Sequence, residues 1–212
     1  MSASDPHANQ PVLTAGPNPT DARLTLVLVH GRGGTATGML DLTGLLEVED
    51  VAFVAPAAAG QTWYPLSFLS PIPQNEPFLS SALRVLEGVV SSLEAKGVGA
   101  DKIGWIGFSQ GACLTLEFVA RHARRYALVA GLSGGVIGPP GTPRNYTGSL
   151  DGTPVFLGCS DVDAHIPLER VHETTRVYRA LGADVDERIY PGMGHFVSPD
   201  EIRAVRALLA KT

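Results

Sequence analysis

Cysteine is scarce in this chain: two residues, Cys113 and Cys159, among 212. A secreted scaffold held by disulfides needs more, so the fold must rest on its own core, and a reduced, cytoplasmic setting is expected. Long apolar runs are also missing. No stretch reaches the roughly 18 apolar residues that mark a membrane span. The opening residues MSASDPHANQP carry neither the basic nor the apolar segment of a secretory signal, so no stable membrane insertion is expected. Positive charge is in deficit, with 16 Lys and Arg against 21 Asp and Glu and a net charge of −5. Such a chain has no general attraction for a phosphate backbone, which sets nucleic acid aside as a partner. Its one basic cluster, Arg121, Arg124 and Arg125, falls at the end of an expected helix, where it suits the macrodipole.

What the chain does have is 44% hydrophobic residues against 17% charged ones, which excludes a disordered polymer. PVLTA (11–15) and LTLVLVH (24–30) flank the turn-rich GPNPTDAR and predict an antiparallel hairpin whose second strand is buried on both faces. A helix with Met39, Leu42, Leu45 and Leu46 on one side follows, then a strand over 51–55. Pro56, Pro65, Pro71, Pro73 and Pro77 exclude a regular element and predict a long structured loop over 56–77. Leu79, Leu83, Leu86, Val90 and Leu93 predict a helix over 78–96, stopped by Gly97. Further strands are predicted over 102–108, 127–132, 154–159 and 185–190. Helices are predicted after GFSQG, over 168–181 and from Ser198, where Ser198-Pro199-Asp200-Glu201 reads as a capping box.

Strands alternating with helices indicate an α/β fold: a mostly parallel central sheet, an N-terminal antiparallel hairpin and helices on both faces. Residues 1–10 are expected as a flexible tail and 11–212 as one domain. No insertion is long enough for a separate lid domain, and the irregular loops 56–77 and 133–153 are the expected pocket walls.

Two segments match G-x-S-x-G, GFSQG around Ser109 and GLSGG around Ser133. A nucleophile elbow needs a strand, a tight turn and then a helix, because the turn exposes the hydroxyl while the helix N-terminus favours a developing oxyanion. Only Ser109 has that context; Ser133 is followed by VIGPPGTP and reads as a loop serine near the pocket. An activated serine needs a base and an acid, in the order Ser, Asp or Glu, His. His195, in PGMGHF between the last strand and the last helix, takes the base position. Asp161 and Asp163 both follow the 154–159 strand, and spacing does not choose between them.

The glycines of HGRGG, at the end of a buried strand, leave backbone N–H groups open to a ligand. A phosphate cradle would need G-x-x-x-x-G-K-[ST] or G-x-G-x-x-G, and neither is present. An oxyanion hole from the N–H groups of Arg32 and Gln110 fits Ser109 instead. The Arg32 side chain either meets a substrate carboxylate or points to solvent. Trp63, Tyr64, Phe68 and Leu69 are read as ordinary core or as the wall of an acyl pocket. Cys113 is expected as a small core residue. His172-Glu173 lacks the second histidine of H-E-x-x-H, and no metal site or cofactor is expected.

HGRGG, GFSQG, DAHIP and GMGHF, in that order, resemble the phospholipase/carboxylesterase family of α/β-hydrolases, from about residue 24 to the C-terminus. That group includes bacterial serine carboxylesterases and acyl-protein thioesterases. The resemblance implies the α/β-hydrolase fold, with Ser109 as nucleophile, Gln110 in the oxyanion hole, Asp163 as the triad acid and His195 as the base. Arg32 stands where many relatives carry an apolar residue, and Trp63-Tyr64 where they often carry Trp and an aromatic. The implied activity is hydrolysis of small to medium acyl esters through an acyl-enzyme. A small-molecule ester is the expected partner, with a homodimer left open. An acyl thioesterase or lysophospholipase is the nearest alternative, and a non-catalytic ligand-binding protein the remote one.

Overall fold

The structure is a computed structural model that describes residues 5–212. Its strands are β1 (Val12–Ala15), β2 (Leu24–Val29), β3 (Val51–Pro56), β4 (Ile103–Phe108), β5 (Leu128–Leu132), β6 (Pro154–Ser160) and β7 (Asp184–Tyr190). Its helices are α1 (Ala36–Asp41), α2 (Phe78–Ala95), α3 (Gln110–Arg121), α4 (Leu168–Ala180) and α5 (Pro199–Leu209). The strands form one sheet in the order β1-β3-β2-β4-β5-β6-β7. All pairs are parallel except β1 with β3, the mostly parallel α/β-hydrolase sheet that the sequence led us to expect.

The expected hairpin does not form. β1 pairs with β3, Val12 opposite Pro56 and Ala15 opposite Phe53, while β2 lies one strand further in, between β3 and β4. Burial gives the reason. All six residues of β2 are buried, so it gains most with parallel neighbours on both sides. No residue of the short β1 is fully buried, and its alternate residues are exposed, which suits a sheet edge.

Period-two alternation divides the core. Val27 and Val29 join Trp105, Val129 and Val155 under α2, α3 and α4. Leu26 and Leu28 join Phe53, Ile106 and Phe156 under α1 and α5. The first helix is shorter than its apolar pattern suggested: α1 gives way to a 3-10 turn over Leu42–Leu45, and Leu45 is exposed. The α5 capping box is present, with Ser198 Oγ accepting from the Glu201 N–H at 3.2 Å and the Glu201 carboxylate accepting from the Ser198 N–H at 2.7 Å.

Residues 5–10, part of the expected tail, pack on the body. His7 is buried, and its Nδ1 accepts from the Ala59 N–H, which leaves Nε2 to donate to the Trp63 carbonyl at 2.9 Å. Irregular loops follow β3 and β5, and no helix lies between β5 and β6. The second loop is tied down by Glu117 of α3. Its buried carboxylate accepts from the Ile137 N–H, the Tyr146 hydroxyl and Arg121, so the cost of burying the charge is offset by three donors. The loops after β2, β3, β4, β5, β6 and β7 all leave from the carboxyl ends of parallel strands, the edge where open α/β sheets hold their ligands.

Candidate active site

β4 runs straight into Ser109, whose φ of 54° and ψ of −120° lie in a region that residues with a Cβ avoid. Such a conformation costs on the order of 1–3 kcal/mol and survives only where its surroundings dictate it. Here they do. The Ser109 N–H donates to the Leu132 carbonyl at 2.9 Å, and the Ser109 carbonyl accepts from the Cys113 N–H at 3.0 Å. A Cβ on Gly107 would stand 2.5 Å from the Gly111 carbonyl, and one on Gly111 would overlap the carbonyls of Val29 and His30. The two glycines of GFSQG therefore let β2, β4 and α3 close around the turn and push the hydroxyl out at the N-terminus of a 12-residue helix.

His195, in the loop between β7 and α5, places Nε2 2.7 Å from Ser109 Oγ and Nδ1 2.7 Å from Asp163 Oδ2. Asp163 Oδ1 accepts from the N–H groups of His165 and Ile166 at 2.8 and 3.0 Å. Burial works to raise the Asp163 carboxyl, but these bonds, led by that from His195, outweigh it and hold the group below the usual carboxylate range. The Cys159 thiol, 3.8 Å from Oδ2, is pushed up to about 12 by burial and by the Asp163 charge, so it stays neutral. Asp161 bonds elsewhere. Its Oδ1 accepts from the Gly192 N–H at 2.8 Å and so holds the turn leading to His195. Spacing left the two aspartates unresolved and the family resemblance implied Asp163; the geometry brings Asp163, and not Asp161, to the imidazole.

Ser133 also has a positive φ, 52°, but no helix follows it. Its hydroxyl is buried and does not line the cavity beside Ser109. Ser133→Ala is expected to change ester turnover by less than about threefold, because the hydroxyl does not reach that cavity. A loss in kcat approaching that of a Ser109 variant would assign the chemistry to the wrong serine.

A cavity of about 400 Å³ opens beside Ser109, lined among others by Tyr64, Phe68, Cys113, His165 and Ile166. Tyr64 and Phe68 take the expected wall positions; Trp63 and Leu69 do not line it. Trp63 is fully buried, its ring packed at 4.9 Å on His30 and its Nε1–H donating to the His30 carbonyl. Leu69 packs on the core. Cys113 is buried, as expected, and its thiol is likewise pushed up to about 12 by burial.

The wall that contains Tyr64, Pro65 and Leu66 has no regular structure, and anchors from elsewhere hold it. The Gln110 side chain accepts from the Trp63 N–H at 2.9 Å and donates to the Tyr64 carbonyl at 2.8 Å. Asn75 accepts from the Leu66 N–H. The Arg32 guanidinium donates to Thr62 Oγ1 and to the carbonyls of Tyr64, Pro65 and Leu66. Sequence reasoning missed these bonds of Arg32, a residue that is exposed and also lines the cavity. It also missed His30, whose Nε2 accepts from the Ala58 N–H at 3.1 Å. No described helix is long and apolar enough to cross a membrane.

The chain is similar to known proteins of one hydrolase family. The sequence profile of the family described as Phospholipase/Carboxylesterase matches residues 16–212. The crystal structure of a phospholipase/carboxylesterase from Dyadobacter fermentans superposes with a TM-score of 0.92 and 40% identity, over 95% of this chain and 97% of that one. Acyl-protein thioesterase 1 of Saccharomyces cerevisiae is 26% identical over 214 residues, covering 90% of this chain and 93% of its own. Acyl-protein thioesterase 1 of Gibberella zeae is 24% identical over 217 residues, covering 88% and 89%.

Proposed function

The chain belongs to the phospholipase/carboxylesterase family, a family of hydrolases, and from that premise we propose that it is a serine carboxylesterase working through an acyl-enzyme. The observation that carries this reading is the unbroken line from Asp163 through His195 to Ser109, with both links at 2.7 Å. Ser109 Oγ attacks the ester carbonyl carbon and its proton passes to His195 Nε2. Asp163 fixes the tautomer that can accept it and stabilises the imidazolium. The imidazolium then returns the proton to the departing alcohol oxygen. Water repeats the cycle on the acyl-enzyme and releases the acid.

Two backbone donors fit the oxyanion. Gln110 is the first residue of α3, so its N–H has no partner within the helix. In the HGRGG loop, the Gly33 N–H is spent on the Gln61 carbonyl and the Gly34 N–H on the Gly31 carbonyl, which leaves the Arg32 N–H to point at substrate. The decisive experiment is labelling with a fluorophosphonate, which reacts with activated serines. The native protein takes up one equivalent at Ser109 and the Ser109→Ala variant none. An unlabelled native protein would sink the reading and restore a non-catalytic ligand-binding protein.

Four of the five guanidinium N–H donors of Arg32 are already engaged by the loop. Arg32→Met is therefore expected to raise KM roughly tenfold on neutral and acidic esters alike, by loosening the pocket wall. A loss confined to acidic esters would return the side chain to substrate recognition. The acyl thioesterase alternative draws on the names of the two fungal relatives, and kcat/KM on an ester and thioester of the same acyl group separates the two activities.

A further inference from the structure

A second cavity, of about 410 Å³, adjoins the first. Its walls are mostly apolar, with Met39, Leu42, Phe108, Phe196 and Val197 among them, and it borders Arg32 and His195 but not Ser109. We propose that this cavity is the leaving-group subsite, and that the protein's substrates are esters of apolar alcohols. The inference rests on the serine esterase reading and adds the half of the substrate that the reading leaves open.

The acyl carbon becomes bonded to Ser109 Oγ, so the acyl group belongs in the cavity that Ser109 and Gln110 line. His195, like Arg32, lines both cavities. Its ring packs with His165, centroids 4.8 Å apart, and with Phe108, centroids 5.2 Å apart. His165 lines the first cavity and Phe108 the second. When the tetrahedral intermediate collapses, the bond between the acyl carbon and the alcohol oxygen breaks. That oxygen takes its pair of electrons and the proton from His195 Nε2, and it leaves as a neutral alcohol. The leaving oxygen must therefore sit at the imidazole, with its substituent on the side that the acyl group does not fill. That side is the second cavity.

Its chemistry selects the alcohol. Apart from Arg32 and His195, its only ionisable lining residue is His30, which burial keeps below its ordinary range and whose two ring nitrogens are both hydrogen-bonded. Among the described residues no carboxylate lines the space, and large apolar groups supply most of the binding area in such a pocket. A benzyl or cyclohexyl group fits this description; a choline or a sugar does not.

Gly38 of α1 lines the cavity, and a Cβ there would meet only Thr35 Oγ1, at 3.4 Å. Gly38→Leu thus fills space with no backbone clash, and it removes a poor helix former, so the fold is kept. The test measures kcat/KM for methyl, butyl and benzyl acetate, and for methyl butyrate and methyl octanoate. Methanol and benzyl alcohol are leaving groups of nearly equal acidity, so binding and not reactivity separates their acetates. The native enzyme is expected to favour benzyl over methyl acetate by about tenfold or more. Gly38→Leu should lower that ratio at least about fivefold while the octanoate-to-acetate ratio moves less than about twofold. Phe196→Ala, which trims a half-exposed wall, should lower the benzyl ratio in the same direction. A native enzyme indifferent to the alcohol, or a Gly38→Leu variant that alters the acyl ratio or neither ratio, overturns the subsite while leaving the esterase standing. No hydrolysis of any ester, together with no fluorophosphonate labelling, overturns the esterase reading and the subsite with it.

Discussion

Replacing Ser109 with alanine is expected to lower kcat by on the order of 10⁶, the loss seen when one member of a triad that acts as a unit is removed. The change deletes one oxygen, and with it both the attacking atom and the hydroxyl that bonds His195 Nε2 at 2.7 Å. It leaves the elbow itself in place. Alanine carries the same Cβ in the same strained conformation, and the bonds from Ser109 N–H to Leu132 and from Cys113 N–H to the Ser109 carbonyl are made by backbone. The thermal midpoint should therefore stay within a few degrees of native, so that the loss reads as chemistry and not as unfolding. A residual rate above water, from the two backbone donors and from binding, is expected to remain. A purified variant with undiminished ester turnover would remove Ser109 from the mechanism. His195→Ala should be comparably damaging.

Asp163→Asn is the second large effect, on the order of 10⁴ in kcat, and the surroundings of the carboxylate dictate its cause. Oδ1 accepts from two N–H groups, those of His165 and Ile166, while Oδ2 faces His195 Nδ1 at 2.7 Å. An asparagine must put its carbonyl oxygen where the two donors are, since an NH₂ there would leave both unsatisfied in a buried place. Its NH₂ then points at Nδ1. The imidazole responds by accepting at Nδ1 and carrying its proton on Nε2, toward Ser109, which is the wrong tautomer for a general base. Shape, burial and fold are unchanged. The check is kcat together with the rate of fluorophosphonate labelling, which should fall in parallel. A variant within about tenfold of native would mean that Asp163 merely braces the loop.

The parts of this molecule that were legible in the sequence are those set by local patterns. Short apolar runs located the strands, the strand–turn–helix context separated Ser109 from Ser133, and Ser198 with Glu201 marked the last helix. Partners distant in sequence were not legible. Nothing in PVLTA-GPNPTDAR-LTLVLVH says that β3 will take the place beside β1, because that choice depends on how much β2 gains from a neighbour on each side. Trp63 was open between core and pocket wall because composition cannot show that His30 and His7 pack against it. Spacing did not tell Asp161 from Asp163; the family motif implied Asp163, and the folded positions of Gly192 and His195 give the two their different partners. Arg32 drew attention by its charge, whereas its geometry makes it a clamp.

The anchoring of the pocket wall has an evolutionary meaning. Pro65 and Leu66 give the anchors only backbone groups, their two carbonyls to Arg32 and the Leu66 N–H to Asn75, while their side chains stand exposed. Their path is thus inherited from residues encoded elsewhere in the chain. Those two codons are free to drift, or to be randomised in a library, without disturbing the loop they belong to. Variation at these two positions can reshape one edge of the acyl cavity while the bonds that hold the loop are left untouched.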